Sequence, residues 1–155
     1  LAKIDDIDMK ILSELSKDAS ISVPKLSKKI NVNPSVTYSR IKRLTKKQLI
    51  KKFTIEVNES ALGYNVSALI GLNIDSKNRE AILEEIQKLD SVRDIFEVTG
   101  RFDLIVKVKA RSLEELHETV SSKMGRINGV MHTETFIEMG RRERNPVYML
   151  EESRK

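Results

Sequence analysis

The sequence predicts an α+β protein in two parts: three short helices, then strands and helices in the order βαββαβ. Three observations carry this. Apolar residues recur at helical spacing through the first fifty residues and at period two through much of the remainder. The early helices are separated by short turns that open on Ser or Asn, good helix caps. The charge divides at the same boundary. Of 28 Lys and Arg and 23 Asp and Glu in 155 residues, the first sixty residues hold 13 basic and 7 acidic side chains; the rest hold 15 and 16. Between Asp18 and Glu56 lie ten Lys or Arg and no acid. Such a split points to a polyanion-binding part joined to a neutral part with another task.

The first helix is expected over about 6–17. Ile4, Ile7, Ile11, Leu12 and Leu15 recur at helical spacing, and Asp5, Asp6 and Asp8 suit the positive end of the helix dipole. Ser22 caps a second helix with Pro24 in its first turn, and this helix stops near Asn31. Asn33-Pro34 repeats the start signal for a third, running to about Lys47. A short turn between two short helices, after a packing helix, is the helix-turn-helix pattern. Leu49 to Ile55 alternates in part and reads as a strand leaving the helices, with Lys51 and Lys52 placed as a wing or as a charged edge.

The third helix has two faces at about 100° per residue. Thr37, Tyr38, Ile41 and Leu44 are expected to pack inward. Ser35, Ser39, Lys42 and Lys46 lie opposite, flanked by Arg40, Arg43 and Lys47, with Val36 near the start. This outer face is small and polar at one end and basic at the other. Small polar residues can approach base edges, cations can meet phosphates, and Arg40 or Arg43 can make a bidentate contact to guanine. A solvated lysine-rich face is the plain alternative; the acid-free run and the capped turn favour binding.

The second part begins with a strand over Asn65 to Asp75, then a helix over Arg79 to Leu89. Strands follow over Val92 to Thr99 and Asp103 to Ala110. Ser112 and Glu115 form a capping box for a helix with the stripe Leu113, Leu116, Val120, Met124 and Ile127. Val130 to Met139 is the last strand. The order is that of a ferredoxin-like unit, four antiparallel strands with helices on one face. Leu69, Ile95, Ile105 and Phe136 are expected on the other face, too apolar for open solvent, so two sheets are expected to pair across a two-fold axis. The domains expected are 1–50, a strand and hinge over 51–63, an assembly domain over 64–141 and a charged tail over 142–155.

Val98-Thr99-Gly100-Arg101-Phe102-Asp103 sits between two strands. It reads as a hairpin turn, or as a turn whose backbone groups and carboxylate grip a small zwitterion. Thr133 and Thr135 lie together on one side of the last strand.

Other classes are set aside. There is no Cys, so disulfides, thiolate metal sites and Cys nucleophiles are absent, and a cytoplasmic location is expected. Val66 to Leu72 is the longest apolar stretch, far short of a membrane span, and no apolar segment with a basic flank opens the sequence, so no signal peptide is expected. No phosphate-binding Gly loop occurs. His117 is expected packed or half-buried beside its helix stripe; His132 lacks a carboxylate partner at motif spacing. No enzyme, metal site or cofactor is expected.

The chain resembles the leucine-responsive and asparagine-responsive (Lrp/AsnC, feast/famine) regulators. The resemblance rests on Ile4-Asp5-Asp6-Ile7-Asp8 with Lys10-Ile11-Leu12, on Ser27 through Asn33-Pro34 to Arg43-Leu44, and on Val98 to Asp103. It covers about residues 3–141. It implies a transcription regulator that binds double-stranded DNA, forms dimers through the second domain and assembles further, commonly to octamers. It also implies an amino-acid effector at a contact between dimers. Mapped here, that site would take Thr99, Gly100, Arg101, Phe102, Asp103, Thr133 and Thr135. The pattern often has Gly-Asp-Tyr-Asp where this chain has Gly100-Arg101-Phe102-Asp103, which leaves the ligand's identity open. The function expected is sequence-specific regulation whose assembly responds to an amino acid. An architectural protein that coats and bends DNA with little sequence choice is the alternative.

Overall fold

A computed structural model describes residues 3–151. The chain forms two compact units: residues up to Glu56 together with those from Arg142 on, and Val57–Arg141. The acid–base boundary near residue 60 therefore falls close to a structural one.

The first unit holds three helices: α1 (Asp6–Lys17), α2 (Val23–Ile30) and α3 (Pro34–Lys46). Asp5 caps α1 in a full capping box, its side chain accepting from the Asp8 amide while the Asp8 carboxylate accepts from the Asp5 amide. These acids therefore cap the helix as well as suiting its dipole. Asn31 ends α2 in the left-handed conformation (φ 55°), its amide turning back to the carbonyls of Ser27 and Lys28. Asn33 Oδ1 then accepts from the Ser35 amide at 2.9 Å and opens α3. Ile11, Leu26, Ile30, Leu44 and Ile50 close the core.

Two expectations fail in this unit. Tyr38 is 59% exposed rather than packed. The inward face of α3 centres on the fully buried Thr37 and Leu44, and Tyr38 lies about 100° round from Thr37. Leu49 to Ile55 forms no strand. Among the described residues no strand neighbours it, and a strand exists only in a ladder. Leu49 and Ile50 instead turn their amides back to the Leu44 carbonyl. The tail joins this unit: the Tyr148 amide donates to Ser13 Oγ at 2.8 Å. Tyr148 shares a groove with Leu12, Leu15 and Phe53.

The second unit has the expected order: β1 (Val66–Ile74), α4 (Arg79–Gln87), β2 (Val92–Glu97), β3 (Leu104–Ala110), α5 (Leu113–His117), a wider-wound continuation over Glu118–Met124, and β4 (Val130–Ile137). The sheet order is β2-β3-β1-β4, antiparallel throughout. Ala68, Ile70 and Leu72 of β1 and Leu104, Val106 and Val108 of β3 point into one core with Ile82, Ile86, Leu116 and Met124 from the helices.

Three details differ from expectation. Ile95 lies on the helix-covered side, paired with the buried Val106, and Phe96 takes the other face opposite Ile105. A bulge between Val92 and Asp94 causes this, because one extra residue exchanges the two faces of a strand. Ser112 caps α5, but Glu115 accepts from the Arg111 amide at 2.6 Å, so the capping box is only half formed. Leu113 and His117 are exposed; the buried stripe is Leu116, Val120 and Met124.

Candidate functional site

In the first unit the outer face of α3 presents Ser35, Val36, Ser39, Lys42, Lys46 and Lys47, all exposed. Tyr38 joins this face on the Lys42 side. Its exposure could not be read from hydrophobicity alone, since a tyrosine at helical spacing from Ile41 suits a core as well as a surface.

Arg40 and Arg43 stand differently. Both are partly buried and both are tied to α1. Arg43 Nη2 lies 2.5 Å from Asp8 Oδ2, and Arg40 Nη1 lies 3.3 Å from Asp8 Oδ1 and also hydrogen-bonds Asp5. The Asp8 side chain has no exposure to solvent. An enclosed carboxylate needs partners, and here two guanidiniums supply them. Lys29 pairs with Glu14 of α1 as well. Three of the ten cations in the acid-free run are thus matched by acids that precede it. The seven others, Lys25, Lys28, Lys42, Lys46, Lys47, Lys51 and Lys52, form no ion pair among the described residues.

Burial pushes the Asp5 carboxyl up, but hydrogen bonds from Arg40 and the Asp8 amide, with the guanidinium charge, outweigh it and hold it below its ordinary value. A depressed carboxyl stabilises the fold fully above its unfolded value, about 3.9, and that contribution fades as pH falls lower. Asp5→Ala should therefore lose stability at pH 7 and show a shallower further loss between about pH 4 and pH 2 than the wild type, read from thermal melts across that range.

In the second unit the turn after β2 folds over the uncovered sheet face. Gly100 has φ +133°, the conformation that favours glycine. Asp103 ties the turn to β1: its amide donates to the Leu72 carbonyl (2.9 Å) and its Oδ2 accepts from the Ile74 amide (2.9 Å). Asn73 Nδ2 donates to the Arg101 carbonyl at 2.9 Å. Phe102 is buried, lying on Gly71 and meeting Phe136 edge-on at 6.1 Å between centroids. Arg101 packs over Phe102 and lies 2.8 Å from Glu134 Oε2.

Thr99, Gly100, Arg101, Phe102 and Asp103 are thus brought together. Thr133 and Thr135 are not beside them, because they pair with Leu72 and Ile70 and so lie on the helix side of the sheet. Glu134 and Phe136, the alternate residues of β4, meet the turn instead. Period two contained that choice, but which alternate set faced the turn depended on register. His132 is exposed, and His117 Nδ1 lies 3.4 Å from Ser121 Oγ. Among the described residues no group of three or more carboxylates or imidazoles is placed to hold a metal ion, and no helix is long and apolar enough to cross a membrane.

A Cβ at Gly71 would lie 2.7 Å from the Phe102 ring. Gly71→Ala should displace Phe102 and cost about 1–3 kcal/mol, seen as a lower denaturant midpoint. In a Phe102→Ala background the same Gly71→Ala change should cost less than it does in the wild type, because the ring it displaces is gone.

A capped helix pair with a basic outer face, joined to a ferredoxin-like unit with a pinned turn, defines a DNA-binding regulator with a separate ligand-binding domain. The chain matches the winged helix-turn-helix DNA-binding pattern over residues 4–51 and the Lrp/AsnC ligand binding domain over residues 67–147. It is 36% identical over 134 residues to the HTH-type transcriptional regulator FL11 of Pyrococcus furiosus, covering 86% of this chain and 88% of that one. The structure of AsnC from E. coli aligns with TM-score 0.83 at 28% identity, over 93% of this chain and 99% of that one. A Neisseria meningitidis regulator, NMB0573, solved as an L-Met complex, shares the fold with TM-score 0.90 at 18% identity, over 97% and 99%. The protein belongs to the Lrp/AsnC family of transcriptional regulators, which are not enzymes.

Proposed function

We propose that this regulator chooses its DNA sites by sequence through α3 and that an amino acid modulates its assembly. The observation that supports the first part is the outer face of α3. Ser35, Ser39, Val36 and Tyr38 offer small, apolar and hydroxyl groups for base edges. Lys42, Lys46 and Lys47 stand beside them for phosphates. Arg43 has a 37% exposed side chain and keeps donors for a base edge; Arg40, at 24%, is more fully engaged with the two aspartates.

Assembly follows from the uncovered sheet face. Leu69 pairs with Phe136 and Ile105 with Phe96, leaving an apolar centre that a second copy of the chain would cover as a homodimer. Further association to an octamer would build contacts between dimers. The effector would bind there by the turn. Thr99 and Gly100 are exposed, Arg101 is available to an amino acid's carboxylate, and Asp103 Oδ1 accepts no hydrogen bond among the described residues and suits its ammonium. Thr133 and Thr135 would serve a neighbouring copy's turn rather than their own. NMB0573, with its L-Met complex, makes an amino acid the natural class of ligand to test. A regulator of this kind would act in the cytoplasm.

In gel-shift titrations, an operator selected from a random duplex pool should bind at least about tenfold more tightly than random DNA. Arg43→Ala should remove most of that difference, and affinity should fall steeply with salt. Equal affinity for both duplexes with continuous footprints would favour a DNA-coating protein instead. For the effector, thermal-shift measurements across the twenty amino acids at millimolar concentration should show a raised melting temperature with at least one of them. Arg101→Ala should abolish that shift. No shift with any amino acid would overturn the effector reading.

A further inference from the structure

Among the described residues Asp8 is the fully enclosed carboxylate of the first unit, and its partners are the two arginines of α3, the helix proposed to read DNA. Both oxygens are used. Oδ1 meets Arg40; Oδ2 meets Arg43 and also accepts from the Asp5 amide at 3.1 Å. Asp5 adds a second carboxylate to Arg40. Among the described residues, the lysines of the same helix carry no such partner. The recognition helix therefore bears two kinds of cation: arginines held and largely neutralised from behind, and lysines open to solvent.

These kinds should act differently on DNA. A solvent-facing lysine meets any phosphate, so it adds affinity without choice. A guanidinium held at one Nη by an enclosed carboxylate has less freedom to swing than a lysine and keeps its other N–H groups for a further acceptor, and a planar fork held in place is what discriminates guanine from other bases. Its charge is matched in advance, so it gains less from an arbitrary phosphate.

We propose that Asp8, assisted by Asp5, is a specificity-determining positioning residue, which holds Arg43 for base edges and withholds Arg40 from the phosphate backbone. Asp8 itself touches no DNA in this reading, which rests on the sequence-specific binding proposed above.

The test uses the full chain, the operator selected by the wild type, and a random duplex. Affinities are measured from about 50 to 200 mM salt for wild type, Asp8→Asn, Asp5→Asn and Asp8→Asn combined with Arg43→Ala. Circular dichroism establishes that each variant is folded. Asp8→Asn should raise random-DNA affinity severalfold at low salt and steepen the logarithmic salt slope by about one. It should lower the operator-to-random ratio by about tenfold. Adding Arg43→Ala should return the slope towards the wild-type value, an effect that mere loosening of the fold would not produce. Asn remains a good cap at Asp5, so Asp5→Asn keeps the helix start while removing charge; it should steepen the slope through Arg40 and carries the test if Asp8→Asn does not fold. Folded variants with unchanged slope and ratio, or with equal losses on both duplexes, overturn the proposal. A wild type that prefers the operator while the variants do not move overturns this inference alone. A wild type with no preference overturns the functional reading, and this inference with it.

Discussion

A four-stranded sheet has two faces, and this chain supplies helices for one. That constraint organises the second unit. The covered face takes the larger share of aliphatic side chains and becomes the core of the unit. The other face is left with Leu69, Ile105, Phe96 and Phe136, and the chain covers part of it with its own turn. Phe102 reaches across β1 because Gly71 has no side chain to obstruct it. Asp103 makes the arrangement rigid by occupying the Ile74 amide, and Arg101 closes it over the ring. The turn is thus held by packing, and residues whose type suits ligand contact also secure the sheet. Beyond Phe102 the face keeps exposed apolar side chains at Leu69, Phe96 and Phe136, and that area is the physical basis of the homodimer proposed above.

The first unit is organised by charge as much as by apolar packing. Its small core joins α1 to α3 at Ile11 and Leu44, and the Asp5–Asp8–Arg40–Arg43 cluster joins the same helices on one flank. Reading the ten cations as a uniform basic surface overstated their equivalence. Acids placed earlier in the chain return to neutralise the ones nearest α1.

The architecture was open to sequence reading because it rests on local signals. The helix starts at Ser22 and Asn33 are set by side chains within three residues of the amides they serve, and the stop at Asn31 by its own left-handed backbone. The succession of strands and helices along the chain followed from alternation and helical spacing, and the boundary between the two parts from charge. What escaped depends on distant partners. Tyr38 is exposed because the inward face of α3 centres on Thr37 and Leu44, and which stripe of the helix turns inward is set by the partners it packs on. Ile95 changed face because of a single extra residue in β2. Leu49 to Ile55 has the composition of a strand, and among the described residues no strand lies beside it. Within the candidate sites, Ser35, Ser39 and the lysines of α3 stand where helical geometry placed them. Thr133 and Thr135 lie across the sheet from the turn, and Glu134 stands beside it, a distinction that only the register between β1 and β4 decides.

The bond between Ser13 and Tyr148 spans 135 positions of sequence. A ribosome releases the three helices long before it makes Tyr148. The helical unit can therefore condense early around Ile11, Leu26 and Leu44, yet its groove beside Leu12 and Phe53 stays open until the whole ferredoxin-like unit has been synthesised. Completion of the first-made part thus waits on the last-made one.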